Sequence, residues 1–183
     1  MRSEKTSKGQ EFEEILRRFE IPLLQYARRI TGDREQARDV VQETFMKFQR
    51  NGALRRRDEP ATWLFTVCRN RALNVCRKER RMMYLDEELL EARESKEPMP
   101  FDQLEDKEAT GFLLRIVATL PPRQQEVIQL KFQNDLSYQQ IAQIMQTTAN
   151  NVGVLLHTAL RTLRHRYGEV AGDFVAFKSR TTE

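Results

Sequence analysis

The chain has 183 residues with only 7 glycines and 6 prolines, and 32% of its residues are charged, a composition that suits helices joined by short connections. No apolar run approaches the roughly 20 residues that cross a bilayer, and residues 1–10 lack the apolar stretch of a secretion signal, so we expect a cytoplasmic protein. The two cysteines, Cys68 and Cys76, fit a reducing compartment and stand too far apart along one predicted helix to form a disulfide.

The net charge of +4 conceals an uneven distribution. Between residues 82 and 110 there are ten acids and three bases, which leaves 28 bases against 17 acids elsewhere, a net charge of +11. Two basic segments therefore flank an acidic one. Basic segments indicate a polyanionic partner such as nucleic acid, although a solvated surface would explain the charge alone equally well.

The first half of the chain has the apolar spacing of three helices. The spacing from Phe12 to Ile30 predicts the first helix, which we expect Pro22 to kink or divide and Gly32 to end. Asp33 begins the second helix as its N-cap. The third helix is predicted over 61–81, with an apolar stripe on one side and polar and basic residues on another.

An acidic stretch with weak periodicity, residues 82–107, is predicted to be a mostly extended linker. The second half then predicts further amphipathic helices. Ser137 is a candidate N-cap with Gln140 at the capping-box position, and Thr148 can cap a last helix that reaches about Tyr167. Two helices joined by a tight turn at this point form a helix-turn-helix pattern, whose second helix fits the DNA major groove. The same pattern also occurs in proteins that do not bind DNA.

The motifs GDREQARDVVQETFMKF (32–48) and WLFTVCRNRALN (63–74) resemble domain two of bacterial sigma factors. LPPRQQEVIQLKFQNDLSYQQIAQIM (120–145), followed by HTAL and LR, resembles sigma domain four. The short chain looks like the extracytoplasmic-function (ECF) group. The resemblance implies an all-α fold of two small helical domains: domain two over 11–81, the linker over 82–107, domain four with its helix-turn-helix over 108–167, and a C-terminal tail over 168–183.

The same resemblance implies the function and the partners. The protein would bind core RNA polymerase through the β′ clamp and the β flap, read the −10 and −35 promoter elements, and help to melt the DNA. It would be a monomer when free and would be held inactive by an anti-sigma protein. The linker would thread the RNA exit path of the polymerase, where its acids could mimic nucleic acid; an inert tether is the alternative.

Polymerase binding would use the polar face of the second helix. Without the resemblance, the same residues would be interpreted as an ordinary solvent-exposed helix face. The candidates are Asp39, Gln42, Glu43 and Met46.

Recognition and melting of the −10 element would use the loop over 51–59 and the third helix. Opening DNA requires base pockets and a basic track for the displaced strand. The candidates are Arg55, Arg56, Arg57, Arg69, Asn70, Asn74 and Arg77. Trp63 and Phe65 could stack on bases, although core packing is the favoured role for Trp63.

Recognition of the −35 element would use the helix-turn-helix. The candidates are Ser137, Thr148, Asn150, Asn151, Gly153, His157, Thr158 and Arg161. The sequence departs from the family pattern here: Gln146 stands in place of a glycine in the turn, and Gly153, Val154 and Leu155 stand in place of the usual basic and hydroxyl residues. We therefore expect −35 recognition to depend on shape and phosphate contacts with few base contacts, among them Val154 on a thymine methyl group.

An enzyme is not expected. The two histidines, His157 and His165, lie on the last helix without a nearby cysteine, so no metal site is predicted, and there is no phosphate-binding glycine loop or nucleophile elbow that would imply a cofactor or catalysis. Two alternatives remain: a stand-alone helix-turn-helix regulator, which should form a dimer on a palindrome, and an adaptor that binds polymerase without reading DNA.

Overall fold

The computed structural model describes residues 2–50, 60–85 and 109–180. Every regular element within these ranges is a helix, as predicted, and the chain divides into two compact units. The first unit is built on α1 (Arg2–Thr31), α2 (Arg34–Arg50) and α3 (Pro60–Leu85). The second contains α4 (Ala109–Ala118), α5 (Pro122–Ile128), a π-helical turn (Gln129–Gln133), the greater part of α6 (Tyr138–Met145) and α7 (Ala149–Arg180).

The core of the first unit forms where α1, α2 and α3 pack against one another. Tyr26 of α1 and Phe65 of α3 are buried edge to face, with ring centroids 5.2 Å apart. Phe48 of α2 is fully buried, and the half-buried ring of Trp63 lies against it at 5.4 Å. Each such side chain contributes about 1.5–3 kcal/mol by burial, so these aromatic residues hold the three helices in register.

The local sequence correctly predicts where α2 starts, but it does not correctly predict whether α1 continues through Pro22. Gly32 adopts φ 74° and donates its N–H to the carbonyl of Arg28 at 2.8 Å, and the Asp33 carboxylate accepts the N–H of Gln36 at 2.8 Å. The division of α1 at Pro22 is wrong, because the helix runs through it. Packing of α1 along both other helices holds the helical backbone despite the hydrogen bond that proline cannot make.

The second unit is centred on a buried cluster of Ile116, Val117, Leu120, Ala159 and Leu163, which joins α4 to α7. The predicted capping box begins α6, since the Ser137 hydroxyl accepts the N–H of Gln140 at 3.2 Å and the Gln140 side chain accepts the N–H of Ser137 at 2.8 Å. Two helices are longer than predicted. Helix α3 enters the stretch predicted as linker and ends at Leu85, and α7 continues through most of the predicted tail to Arg180.

Candidate functional site

The polar side of α2 is exposed while its other side is buried in the first unit. Asp39, Gln42, Glu43 and Met46, here called the α2 face, follow one another at helical spacing. Asp39 and Gln42 are exposed, and Met46 is 43% exposed although its side chain is apolar. An acid, an amide and a thioether are therefore available together for a partner.

Glu43 differs from its neighbours because it is engaged within the protein. Its carboxylate forms an ion pair with Arg71 of α3, and both side chains are only partly exposed. Such a pair contributes little to stability, about 0–1 kcal/mol, but it joins α2 to α3. The sequence did not indicate a role for Arg71. Arg71 is one of several basic residues in α3, and nothing in the sequence pattern showed that it pairs with a residue on another helix.

A groove of about 510 Å³ runs beside the α2 face, between α1 and α2. Its walls are mostly apolar, with Leu16 and Leu24 on α1 and Phe45 on α2. Gln42 and Met46 belong both to the groove and to the α2 face. The two features thus form one continuous surface that combines polar groups with an apolar recess.

The polar side of α3 carries the residues predicted for the −10 element. Asn74 and Arg77 are exposed, and the Arg77 guanidinium donates to the Asn74 side-chain oxygen at 3.3 Å. Arg69 and Asn70 are half-buried one turn earlier. We call these four residues the α3 basic face. Arg55, Arg56 and Arg57, together with the linker from residue 86, lie outside the described residues.

The expectation that Phe65 could stack on a base is wrong. Its ring is 1% exposed and packs on Tyr26, so no base can reach it. Trp63, by contrast, is half-buried against Phe48, as its favoured role in core packing predicted. Trp63 and Phe65 are two residues apart, which separates their side chains by about 200° around the helix axis, and Phe65 is the one that faces Tyr26 and is enclosed.

The thiol of Cys68 is enclosed behind the α3 basic face. Burial raises the pKa of Cys68 from 9.0 to about 12, an effect that a hydrogen bond with Thr44 partly opposes. Because the folded state keeps this proton when the unfolded chain has lost it, the contribution of Cys68 to stability is intact below pH 9 and declines as the pH rises towards 12.

We predict that Cys68 resists alkylation at pH 8 in the folded protein, since the thiolate is the reactive species. With Cys76→Ser as background, iodoacetamide labelling followed by mass spectrometry should be more than about a hundredfold slower in buffer than in urea. Cys68→Ala isolates the half-buried Cys76 as the control. Equal rates for Cys68 in buffer and in urea would contradict the prediction.

Helices α6 and α7 form the predicted helix-turn-helix. About three turns of α7 present one face to solvent, here called the α7 reading face: Asn150, Val154, His157 and Arg161 are exposed on it, and Gly153 is half-buried between them. The other predicted −35 residues have local roles. Ser137 and Thr148 cap α6 and α7, the Asn151 amide donates to the Thr147 hydroxyl at 2.8 Å, and Thr158 is half-buried.

The turn between α6 and α7 contains a strained residue. Gln146, where the resemblance to sigma factors implies a glycine, adopts φ 52°, and the adjacent N–H of Thr147 closes the turn on the carbonyl of Ala142 at 2.9 Å. A left-handed conformation costs a residue with a side chain about 1–2 kcal/mol. The turn thus has the left-handed backbone conformation that favours glycine, although a glutamine occupies the position.

We predict that Gln146→Gly raises the free energy of unfolding by about 0.5–1 kcal/mol, because the strain relieved exceeds the backbone entropy lost. Urea denaturation followed by circular dichroism measures it. Gln143→Gly, an exposed position within α6, is the matched control and should lower stability by about 1 kcal/mol. If both glycine substitutions destabilise equally, Gln146 is not strained.

The sequence matches the family model of Sigma-70 region 2 over residues 15–82 and that of Sigma-70 region 4 over residues 113–163. It is 34% identical over 149 residues to the ECF RNA polymerase sigma factor SigL of Mycobacterium tuberculosis, covering 78% of this chain and 80% of SigL. The chain belongs to the ECF sigma factors. Its partners are accordingly core RNA polymerase and promoter DNA, and neither a stand-alone regulator nor an adaptor accounts for both matched regions.

Other relatives agree with this assignment. This sigma factor is 25% identical over 163 residues to the ECF sigma factor SigM of Bacillus subtilis, covering 88% of this chain and 98% of SigM. Its fold is similar to that of the sigma factor RpoE in a complex with the anti-sigma factor NepR from Bartonella quintana, with a TM-score of 0.65, 21% identity, and coverage of 85% of this chain and 96% of RpoE. No helix in the described ranges is long and apolar enough to span a membrane.

Proposed function

We propose that this sigma factor divides promoter recognition among three helices. The α2 face binds core polymerase, the α3 basic face holds the melted −10 strand, and the α7 reading face reads the −35 duplex. The observation that carries the proposal is the chemical difference between the exposed sides of these helices. The α2 face offers an acid, whereas the α3 basic face and the end of the α7 reading face offer arginines.

Polymerase binding by α2 requires both charge and apolar contact. Asp39 can pair with a basic side chain of the β′ clamp, and the groove between α1 and α2 can receive an apolar one. Glu43, already paired with Arg71, acts mainly by positioning α2. Asp39, Gln42 and Met46 then make the direct contacts.

Melting of the −10 element requires compensation of about a few kcal/mol for each unstacked base. The α3 basic face supplies cationic and amide groups along one side of a rigid helix. The hydrogen bond between Arg77 and Asn74 holds the guanidinium in place before DNA arrives. We propose that the loop arginines Arg55, Arg56 and Arg57 bind the same melted DNA strand.

Binding of the −35 element begins at the N-terminus of α7, where backbone N–H groups favour a phosphate. Asn150 and His157 can form hydrogen bonds with base edges, and Arg161 can reach the backbone. The second unit also contacts the β flap. Because one chain holds both reading units, the spacing between the promoter elements affects affinity.

Regulation and location follow from the same proposal. An anti-sigma protein, as NepR is for RpoE, would inhibit this sigma factor by covering the α2 face. The chain acts in the cytoplasm as a subunit without catalytic chemistry of its own, and the acidic linker occupies the RNA exit path.

The test is run-off transcription by purified core polymerase on a fragmented genomic library, with and without this protein. New start sites that depend on the protein support the proposal. Arg77→Glu should retain core binding but reduce permanganate reactivity of −10 thymines, whereas Arg115→Glu, the same change at an exposed position of the second unit, should not reduce it. Tight core binding without any new start site would contradict the proposal.

A further inference from the structure

A small recess lies on the α7 reading face, between α7 and the first residue of α6. Its volume is about 450 Å³. The six residues that line it are Tyr138, Ala149, Asn150, Gly153, Val154 and His157. The sequence did not indicate Tyr138 as a site residue. Its side chain lies beside α7 because of the angle between α6 and α7, which the sequence pattern does not reveal.

Gly153 contributes to the recess because it has no side chain. A Cβ atom at this position would lie 3.7 Å from the Tyr138 ring, so alanine would fit in ordinary contact, and a large side chain such as leucine would occupy part of the space. Val154 is 55% exposed beside it, and Tyr138 is 45% exposed. The ring of Tyr138 and the isopropyl group of Val154 are thus accessible to solvent, although both are groups whose burial is favourable.

The chemistry of the recess is apolar at its centre and polar at its ends. None of the six lining residues is an acid, a lysine or an arginine. Asn150 lies one turn before Val154, and His157 lies about one turn after it. A ligand that fits must therefore present an apolar group flanked by hydrogen-bonding groups.

We propose that this recess receives the C5-methyl group of a thymine in the −35 element. The inference rests on the proposed function, in which the α7 reading face enters the major groove. The thymine methyl is the one apolar group that base pairs present there, and donors and acceptors surround it. Asn150 is then placed to take the N6 and N7 edge of an adenine in the same or an adjacent pair. By these two contacts α7 selects an A·T pair, although it has no basic side chain in its first turns.

The test uses the holoenzyme and a promoter obtained by run-off selection. Each thymine of the −35 element is replaced in turn by deoxyuridine, which removes only the methyl group, and binding is measured by competition. At one thymine the wild-type protein should lose about fourfold in affinity, the factor that corresponds to burial of one methyl group. Val154→Ala should reduce this ratio to nearly one, and Gly153→Leu should weaken thymine binding and abolish the ratio.

Phe132→Ala is the control variant, because it truncates another exposed apolar side chain of the second unit, 60% exposed and outside the recess. It should leave the thymine-to-uracil ratio unchanged whatever its effect on overall affinity. Tight −35 binding that is insensitive to deoxyuridine at every position, or a ratio that Val154→Ala does not alter, would overturn the recess proposal alone. Absence of −35 protection by the wild-type holoenzyme would overturn the proposed function as well.

Discussion

Asp39→Arg should weaken binding of this sigma factor to core polymerase by at least tenfold, or about 1.4 kcal/mol. Asp39 is exposed on the α2 face, so the substitution reverses a charge at the proposed interface without disturbing the core. Like charges brought together at an interface cost several kcal/mol. Fluorescence anisotropy of labelled protein titrated with core polymerase measures the change.

Glu14→Arg is the matched control for this prediction. It makes the same change of charge at an exposed position of α1 that does not line the groove. Its affinity should remain within about twofold of the original. If both variants lose affinity equally, the loss reflects net charge and the α2 face is not the polymerase-binding surface.

Glu43 permits a second test at the same face. Glu43→Arg places two cations together, and adding Arg71→Glu restores an ion pair with reversed polarity. If Glu43 acts by positioning α2, the double variant should recover most of the affinity that Glu43→Arg loses. Recovery of stability without recovery of affinity would instead make Glu43 a direct contact.

Phe48→Ala should lower the free energy of unfolding of the first unit by about 3–5 kcal/mol. Phe48 is fully buried and contacts Trp63 across the interface of α2 and α3, so its loss leaves a cavity that fixed helices cannot close. That amount approaches the whole stability of a small domain. Trp63 is the single tryptophan of the chain, and its fluorescence in a urea titration reports on this unit, with circular dichroism as a second probe.

The control for Phe48→Ala is Ile21→Ala on α1, where the apolar side chain is 64% exposed. Stability should change by no more than about 0.5 kcal/mol. A loss at Phe48 as small as the loss at Ile21 would mean that the first unit does not depend on this core. Promoter opening should fail with Phe48→Ala as well, because the α2 face and the α3 basic face then lose their common support.

Prediction from the sequence succeeded where the signal is local. Asp33, Ser137 and Thr148 were each identified as N-caps from residues within one turn, and each accepts the expected backbone N–H. A local rule failed where it met a tertiary constraint. Pro22 does not divide α1, because packing of α1 against α2 and α3 compensates for the hydrogen bond that proline cannot make.

The sequence by itself determined the two helical units, the helix-turn-helix and membership of the ECF sigma factors, since periodicity, caps and motifs depend on neighbours along the chain. Only the tertiary structure decided which members of each predicted face are available. It pairs Glu43 with Arg71, encloses Phe65 and brings Tyr138 beside Gly153. The physical reason is that these outcomes depend on how each helix is rotated against its neighbours, which residues distant in sequence determine together.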